Sequence, residues 1–369
     1  MKLLNIDIYQ LRDKKKKIVC FGAGKMFRNF VRDYKRFEIE KEIILILDND
    51  QRKDGTRINI GVQEIYVSSV EKFCENYPVK EFILLISCGD VAAVYKQLQQ
   101  IEQFKDVECC ILPFVRGMTN ETDEKNRYYP ENFRVYDTPV IPKIIHYCWF
   151  GGKEIPEQNK KWMASWKKYC PDYEIIEWNE NNYDVKKNRY MYDAYKAGKW
   201  GFVSDYAELD IIYCYGGIYL DTDVEIIRNL DELLYQDSFM GVDGSKNISL
   251  GLGFGARPYF HVIKELMDGY NSCSFYNSDG SMNITAAPTL QIPFFNNLGY
   301  VNNGEYQKIG DLTVYPEKVL SGKCNYTGRV KLTEHTFSIH HYDGSWVSEE
   351  RRIRLKIMQD FYKGIAEKG

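Results

Sequence analysis

The chain has no long apolar run. Nothing in its 369 residues approaches the roughly 20 consecutive apolar positions that span a bilayer, and no secretory leader pattern opens it. It also lacks an excess of either charge: 49 basic residues meet 52 acidic ones, for a formal net charge of −3. That balance excludes a general polyanion-binding reading, and nucleic acid with it. Ten cysteines are present, but they form no CxxC pair and no metal-ligand spacing. Cys20, Cys88 and Cys148 sit within or at the ends of apolar, strand-like runs, which suits reduced core thiols and a cytoplasmic chain. There is no internal repeat and no low-complexity tract. What the chain does have is length for two domains, a 44% hydrophobic share that can fill their cores, and many aromatics, with 29 Tyr and 19 Phe.

The stretch that organises the rest is Phe202 to Asn229, FVSDYAELDIIYCYGGIYLDTDVEIIRN. Val203, Tyr206, Ala207, Ile211 and Cys214 follow helical spacing, and Leu209, Ile212 and Tyr213 make that helix apolar almost all round. Asp205 is expected to open it, where an acid is favoured by the helix dipole. Gly216-Gly217 ends the helix. Ile218 to Leu220 then reads as a short buried strand, with a second from Val224 to Ile227. Between them lies Asp221-Thr222-Asp223. In extended backbone, positions i and i+2 point the same way, so Asp221 and Asp223 are expected to face one site. Two carboxylates held together at a mostly buried strand end are costly without a cation between them, and an oxygen-rich site suits Mg²⁺ or Mn²⁺ bridging to phosphates. A bare D-x-D is weak by itself; Asp48-Asn49-Asp50 is a second one in this chain.

The surroundings of the first carry more. SDYAxLxxxYxxGGIYLDTDVE closely resembles the DXD sugar transferases of glycosyltransferase family 32, which include capsule and exopolysaccharide transferases and fungal mannosyltransferases, and which are distantly similar to the large glucosylating toxins. The resemblance implies a GT-A nucleotide-diphospho-sugar transferase fold, retention of anomeric configuration, and donor-sugar hydroxyls bound by Asp205. It also implies an Arg four residues after Ser204, where this chain has Glu208. A Glu cannot hold a diphosphate by charge, so donor identity is put in question at this position.

Ahead of that region, residues 1–117 read as a small Rossmann-like parallel α/β domain. Strands at 17–21, 43–47, 82–87 and 107–112 alternate with helices at about 25–34, 70–76 and 91–101, and Asp54-Gly55 is a hairpin turn signal. Its glycine fingerprint is partial, because Gly22 and Gly24 are present but Phe27 holds the third position. Asp48 could reach a ribose hydroxyl; the other reading is a docking or oligomerisation domain. The FGAG…DND arrangement resembles accessory domains found beside sugar-processing enzymes. Residues 118–139, polar and then proline-marked, read as a linker.

Residues 140–369 read as the catalytic domain. Ile144 to Cys148 is a strand with an aromatic-glycine exit, so Trp149 and Phe150 lie where a flat base could stack; the plain alternative is a core Trp at a strand end. IPKIIHYCWFGG is similar to the opening strand of the same transferases. His146, on the Cys148 face, reads as a satisfied core histidine. Asn159 to Lys168 is an amphipathic helix, and Tyr173 to Trp178 a strand. By the resemblance, Asn182 contacts the base and Tyr219 the substrate. Three of the five histidines fall in Glu334 to His341. By the resemblance of HxxG-then-Trp to the late metal-binding segment of such transferases, His341 is the third metal ligand with Asp221 and Asp223, His340 faces away, and Ser345 and Trp346 close over the diphosphate. An imidazole beside two carboxylates moves the preference from Mg²⁺ toward Mn²⁺.

The terminal helix, Glu349 to Lys363, carries Arg351, Arg352, Arg354 and Lys356 beside Ile353, Leu355, Ile357, Met358 and Phe361. It is either a solvated basic surface helix or a peripheral contact with an anionic membrane at the inner face of the cell, where a lipid-linked acceptor would lie. The expectation is a transferase moving a hexose from a UDP-sugar to a glycan in bacterial capsule or exopolysaccharide synthesis. The alternative is a nucleotide-sugar or dinucleotide-binding regulatory protein with a weakened transferase domain. A glycoside hydrolase would need its two carboxyls roughly 5 Å or 6.5–9.5 Å apart and no metal.

Overall fold

Runs such as Ile43–Leu47 (IILIL) and Phe82–Ile86 (FILLI) are apolar at every position, the pattern of strands buried on both faces of a parallel sheet. The computed structural model of the protein describes residues 1–61, 63–76, 81–344 and 349–366, and those runs are central strands within it. The chain divides into two units, Met1–Asn126 with Asn325–Gly328 and Glu349–Gly369, and Arg127–Cys324 with Arg329–Ser348.

The first unit holds seven strands: β1 (Lys2–Leu3), β2 (Lys17–Phe21), β3 (Ile43–Leu47), β4 (Arg57–Ile60), β5 (Gln63–Ser68), β6 (Phe82–Ile86) and β7 (Glu108–Ile111). Their order is β1-β7-β6-β2-β3-β5-β4, all neighbours parallel except the antiparallel edge pair β5–β4. The β4–β5 hairpin comes round Gly61, whose φ is +61°. Asp54-Gly55 instead turns the chain into β4, with Gly55 N–H donating to Val67 O. Leu112–Glu124 is helical, so the first part of the expected linker belongs to this unit, and Phe133, in its later part, is buried in the second. The C-terminal helix Glu349–Ala366, expected with the catalytic domain, packs in the first unit: Met358 and Tyr362 are buried there, with Tyr362 against Phe114 at 4.7 Å. Apolar residues on one stripe of the helix drive this. Ile353 and Ile357 stay exposed on another.

The second unit is also mixed α/β. Its main sheet contains β8 (Ile144–Cys148), β9 (Glu174–Trp178), β10 (Gly217–Tyr219), β12 (Ser238–Gly241), β13 (Phe254–Ala256), β14 (Gln307–Ile309) and β15 (Leu312–Tyr315), in the order β14-β15-β12-β13-β10-β8-β9. β8, β9 and β10 run parallel, and β13 is antiparallel to β10. A separate two-stranded ribbon pairs β11 (Val224–Ile226) with β16 (Ser338–His340). The helix Trp200–Tyr215 is buried over most of its length. Gly216 and Gly217, at φ +64° and +101°, swing the chain from that helix into β10. A Cβ on Gly216 would sit 2.6 Å from Pro258 Cδ, and one on Gly217 2.7 Å from Ile144 O, so both positions require glycine for conformation and for space.

Candidate functional site

β10 carries the chain to Asp221. There the backbone turns: Val224 N–H donates to Asp221 O at 3.0 Å, closing a reverse turn over Asp221-Thr222-Asp223. The two carboxylates therefore converge through a turn, and not through the extended alternation expected from the sequence. β11 then pairs antiparallel with β16 in the register Val224↔His340 and Glu225↔Ile339. That register puts His340 on the buried Val224 side and His341 on the Glu225 side. His340 Nε2 lies 3.3 Å from Asp223 Oδ1 and 3.9 Å from Asp221 Oδ2. One ligand atom from each of Asp221, Asp223 and His340 falls within 4.8 Å of the others.

The expected third ligand, His341, is elsewhere. Its ring stacks on Trp162 at 4.2 Å and 11°, and its Nε2 meets Glu225 Oε2 at 2.8 Å. The histidine beside the carboxylates is His340, the one the sequence reading turned away. A donor set of two carboxylates and one imidazole fits Mn²⁺ or Mg²⁺, with the nitrogen favouring Mn²⁺.

The electrostatics are those of a cation site. Burial and the charge of Asp223 raise the Asp221 pKa against the hydrogen bond from His340. Burial works to lower the His340 pKa, but Asp223 and Asp221 outweigh it and hold the imidazole above its ordinary value. Asp221 nonetheless keeps 40% of its side chain exposed, so it sits deep but lines an open cleft. Tyr219 Oη donates to Asp221 Oδ1 at 3.3 Å, and Asp343 N–H to Asp223 Oδ2 at 2.8 Å. A Cβ on Gly251 would overlap Asp221 Oδ2. The helix Glu157–Tyr169 braces the turn from outside: Asn159 Nδ2 donates to Thr222 Oγ1 at 3.1 Å, Trp166 Nε1 to Val224 O at 2.8 Å, and Ser165 Oγ accepts from Ile226 N–H at 2.8 Å.

Beside the turn lies a second group of acids on the Trp200–Tyr215 helix. Asp205 is the sixth residue of that helix, not its opening acid. Burial and the charge of Asp221 push its pKa up to about 8. Glu208, one helical turn on, is 4% exposed, and burial with the charges of Asp221 and Asp205 raises its pKa well above the usual range. Asp243 is raised to about 6 by burial although Ser245 and Asn247 N–H groups donate to it.

The remaining residues singled out by the sequence take varied positions. Phe150 is 4% exposed and packs edge-on to Tyr183 at 6.2 Å, so it is a core residue. Trp149 is half-buried at the end of β8, its Nε1 donating to Lys153 O at 2.6 Å. Asn182 has both ends of its amide engaged by the loop, accepting from Asn179 N–H and donating to Glu177 O, each at 2.8 Å. Tyr219 is buried and touches Asp221. His146 is enclosed, with Nε2 at 2.9 Å from Gly216 O and Nδ1 accepting from Trp178 Nε1 at 3.0 Å. Ser345 and Trp346 lie outside the described residues. In the first unit the Asp48 carboxylate accepts from Ala23 N–H, Asp50 N–H and Lys53 Nζ at 2.8 to 2.9 Å, leaving little capacity for a ribose. The convergence of Asn159, Gly251 and His340 on the two aspartates was not legible in the sequence, because each meets a partner distant in sequence.

Residues 156–240 match the family described as the glycosyltransferase sugar-binding region containing the DXD motif. Inositol phosphoceramide mannosyltransferase 3 of Schizosaccharomyces pombe is 31% identical over 155 residues, 37% of this chain and 40% of that protein. A human alpha-1,4-N-acetylglucosaminyltransferase is 32% identical over 114 residues, 30% of this chain and 28% of that protein. The chain spans about two fifths of the length of the inositol phosphoceramide mannosyltransferases it matches. Among solved structures, the PaToxG glycosyltransferase superposes with a TM-score of 0.36 at 17% identity, covering 44% of this chain and 73% of that one.

Proposed function

We propose that the second unit is a metal-dependent glycosyltransferase moving a hexose from a nucleotide diphosphate sugar to a glycan or lipid-linked acceptor. The observation that carries this reading is the convergence of Asp221, Asp223 and His340 at the end of a strand inside the segment that matches the DXD sugar-binding region. A divalent ion held there would supply Lewis-acid stabilisation of the charge that develops on the departing nucleoside diphosphate. The protein's own groups prepare the place. Tyr219 and the close approach of Gly251 hold Asp221, the Asp343 N–H holds Asp223, and the half-buried Trp149 at the end of β8 offers a face for the base. Asp205, on the neighbouring helix, is placed to accept from sugar hydroxyls.

A UDP-hexose is the proposed donor, with retention of configuration, as the sequence resemblance implies. The matching relatives named as mannosyltransferases add a mannose donor to the candidates. We take the acceptor as a growing bacterial surface glycan, reached from the inner face of the membrane; the relatives named for inositol phosphoceramide support a lipid-linked class. The first unit we take as accessory.

Donor hydrolysis across UDP- and GDP-sugars with Mn²⁺, with and without EDTA, tests the reading. Slow, EDTA-sensitive release of one nucleotide, lost in Asp223→Ala, is the expected outcome. No release and no binding of any donor would remove the assignment.

A further inference from the structure

The acids beside the D-x-D turn are more than metal ligands require. Asp205 and Glu208 stand one helical turn apart on the same face, and neither belongs to the group that could hold the ion. Among the described residues, the charges acting on Glu208 are those of Asp221 and Asp205, and the charge acting on Asp205 is that of Asp221. No lysine or arginine answers them. An acidic cluster alone would mean little, but buried polar groups pack against the same helix, the Tyr270 ring lying 6.1 Å from that of Tyr206 and 5.3 Å from that of Tyr190. Tyr190 is 1% exposed, its hydroxyl has no hydrogen-bond partner among the described residues, and it feels the charge of Asp205. Tyr270 is 3% exposed and feels both Asp205 and Glu208. Gln291, also 3% exposed, donates to the Tyr270 hydroxyl at 3.4 Å while its own Oε1 has no partner among the described residues. Buried polar groups left without partners cost free energy, and the tyrosines among them feel the acids of this helix.

We propose that Glu208, with Asp205, Tyr190 and the Tyr270–Gln291 pair, makes the sugar end of this site a charge filter that takes uncharged hexose donors and rejects hexuronate donors. Glu208 is its specificity-determining residue. The acceptor-rich set suits a ring bearing hydroxyl donors. A sugar carboxylate entering it would meet two carboxyl groups and, among the described residues, no lysine or arginine. It could enter only with both of those acids protonated, at a cost in kcat/KM.

The inference rests on the transferase reading, and the test separates the two. Paired donors sharing a nucleotide, UDP-glucose with UDP-glucuronate and GDP-mannose with GDP-mannuronate, are compared for Mn²⁺-dependent hydrolysis and for binding by calorimetry. In the wild type the neutral member of the pair that is used should exceed its uronate by about tenfold or more in kcat/KM. In Glu208→Gln, which keeps shape and removes the acid, the ratio should contract to within about threefold, whereas Glu208→Asp should retain it. Equal use of both members by the wild type would overturn the filter and leave the transferase standing. So would an unchanged ratio in Glu208→Gln. Failure of every donor to bind or react would overturn both.

Discussion

His340 and His341 are chain neighbours with different surroundings. His340 is held between two carboxylates, and His341 between an indole face and Glu225. Only the first has ligand geometry, and the difference is measurable without any substrate. Mn²⁺ should raise the melting temperature of the wild type by mass action, since it binds the folded site and not the unfolded chain. His340→Ala and Asp223→Asn should lose most of that rise, while His341→Ala, though destabilised by loss of its stack, should keep it. A rise that vanishes in His341→Ala and survives in His340→Ala, read by differential scanning fluorimetry, would reverse the assignment. Glu208 belongs to the same scale: one buried acid, 4% exposed, changes what the sugar end can accept.

At the scale of elements, the site is a turn braced by a helix. The D-x-D turn has few internal hydrogen bonds, and the Glu157–Tyr169 helix supplies three from outside, through Asn159, Ser165 and Trp166. Asn159 is 3% exposed and touches the residue between the two aspartates. It is a positioning residue. Asn159→Leu should leave the helix formed but release the half-buried Thr222 Oγ1, costing about 0.5–1.5 kcal/mol for the lost hydrogen bond. Mn²⁺ affinity, read by titration calorimetry, should fall about tenfold, and Asn159→Asp should recover part of the loss. A stability loss with unchanged Mn²⁺ affinity would reduce the contact to simple packing. The Trp200–Tyr215 helix plays the complementary part. Its apolar circumference buries it, and burial is what raises Asp205 and Glu208 so far.

At the scale of the whole molecule, pH acts on stability through groups far from the chemistry. His146 is 0% exposed, and burial depresses its pKa from 6.5 to about 4. The unfolded chain therefore takes up a proton near pH 6.5 that the folded second unit refuses until about pH 4. Stability contributed by the neutral ring is complete above pH 6.5 and is lost as pH falls from there toward 4. Urea midpoints for the second unit should drop across that window, by about 3 kcal/mol if this group acted alone. His146→Gln should start less stable and show a flatter pH dependence through the same window. An equally steep dependence in the variant would assign the effect to other groups. The first unit owes its closure to a segment far away in the chain: the Glu349–Ala366 helix fills its core with Tyr362, 0% exposed.

Much of this was readable from local pattern. Apolar runs marked the parallel strands β2, β3, β6 and β7 of the first sheet and β8, β9 and β10 of the second within a residue or two, because a buried parallel strand announces itself by composition. Strands at or beside the sheet edges, such as β1, β4, β5 and β14, carry no such run and were not marked. Gly216-Gly217 marked the exit from the buried helix, because only glycine meets its φ and its crowding there. Asp221 and Asp223 marked the candidate site through the longer motif around them, since a D-x-D after a buried strand recurs at Asp48-Asn49-Asp50. What the tertiary structure alone decided depends on pairing between distant segments. The β11–β16 register selected His340 over His341, as a strand shows opposite faces at successive residues and only its partner says which face is inside. Burial turned Glu208 from a departure from a motif into an acid held well above its usual pKa range. Contacts across more than two hundred residues placed the last helix in the first unit. Local sequence determines which residues can do chemistry; the desolvation and pairing that make them do it come from parts of the chain that meet only on folding.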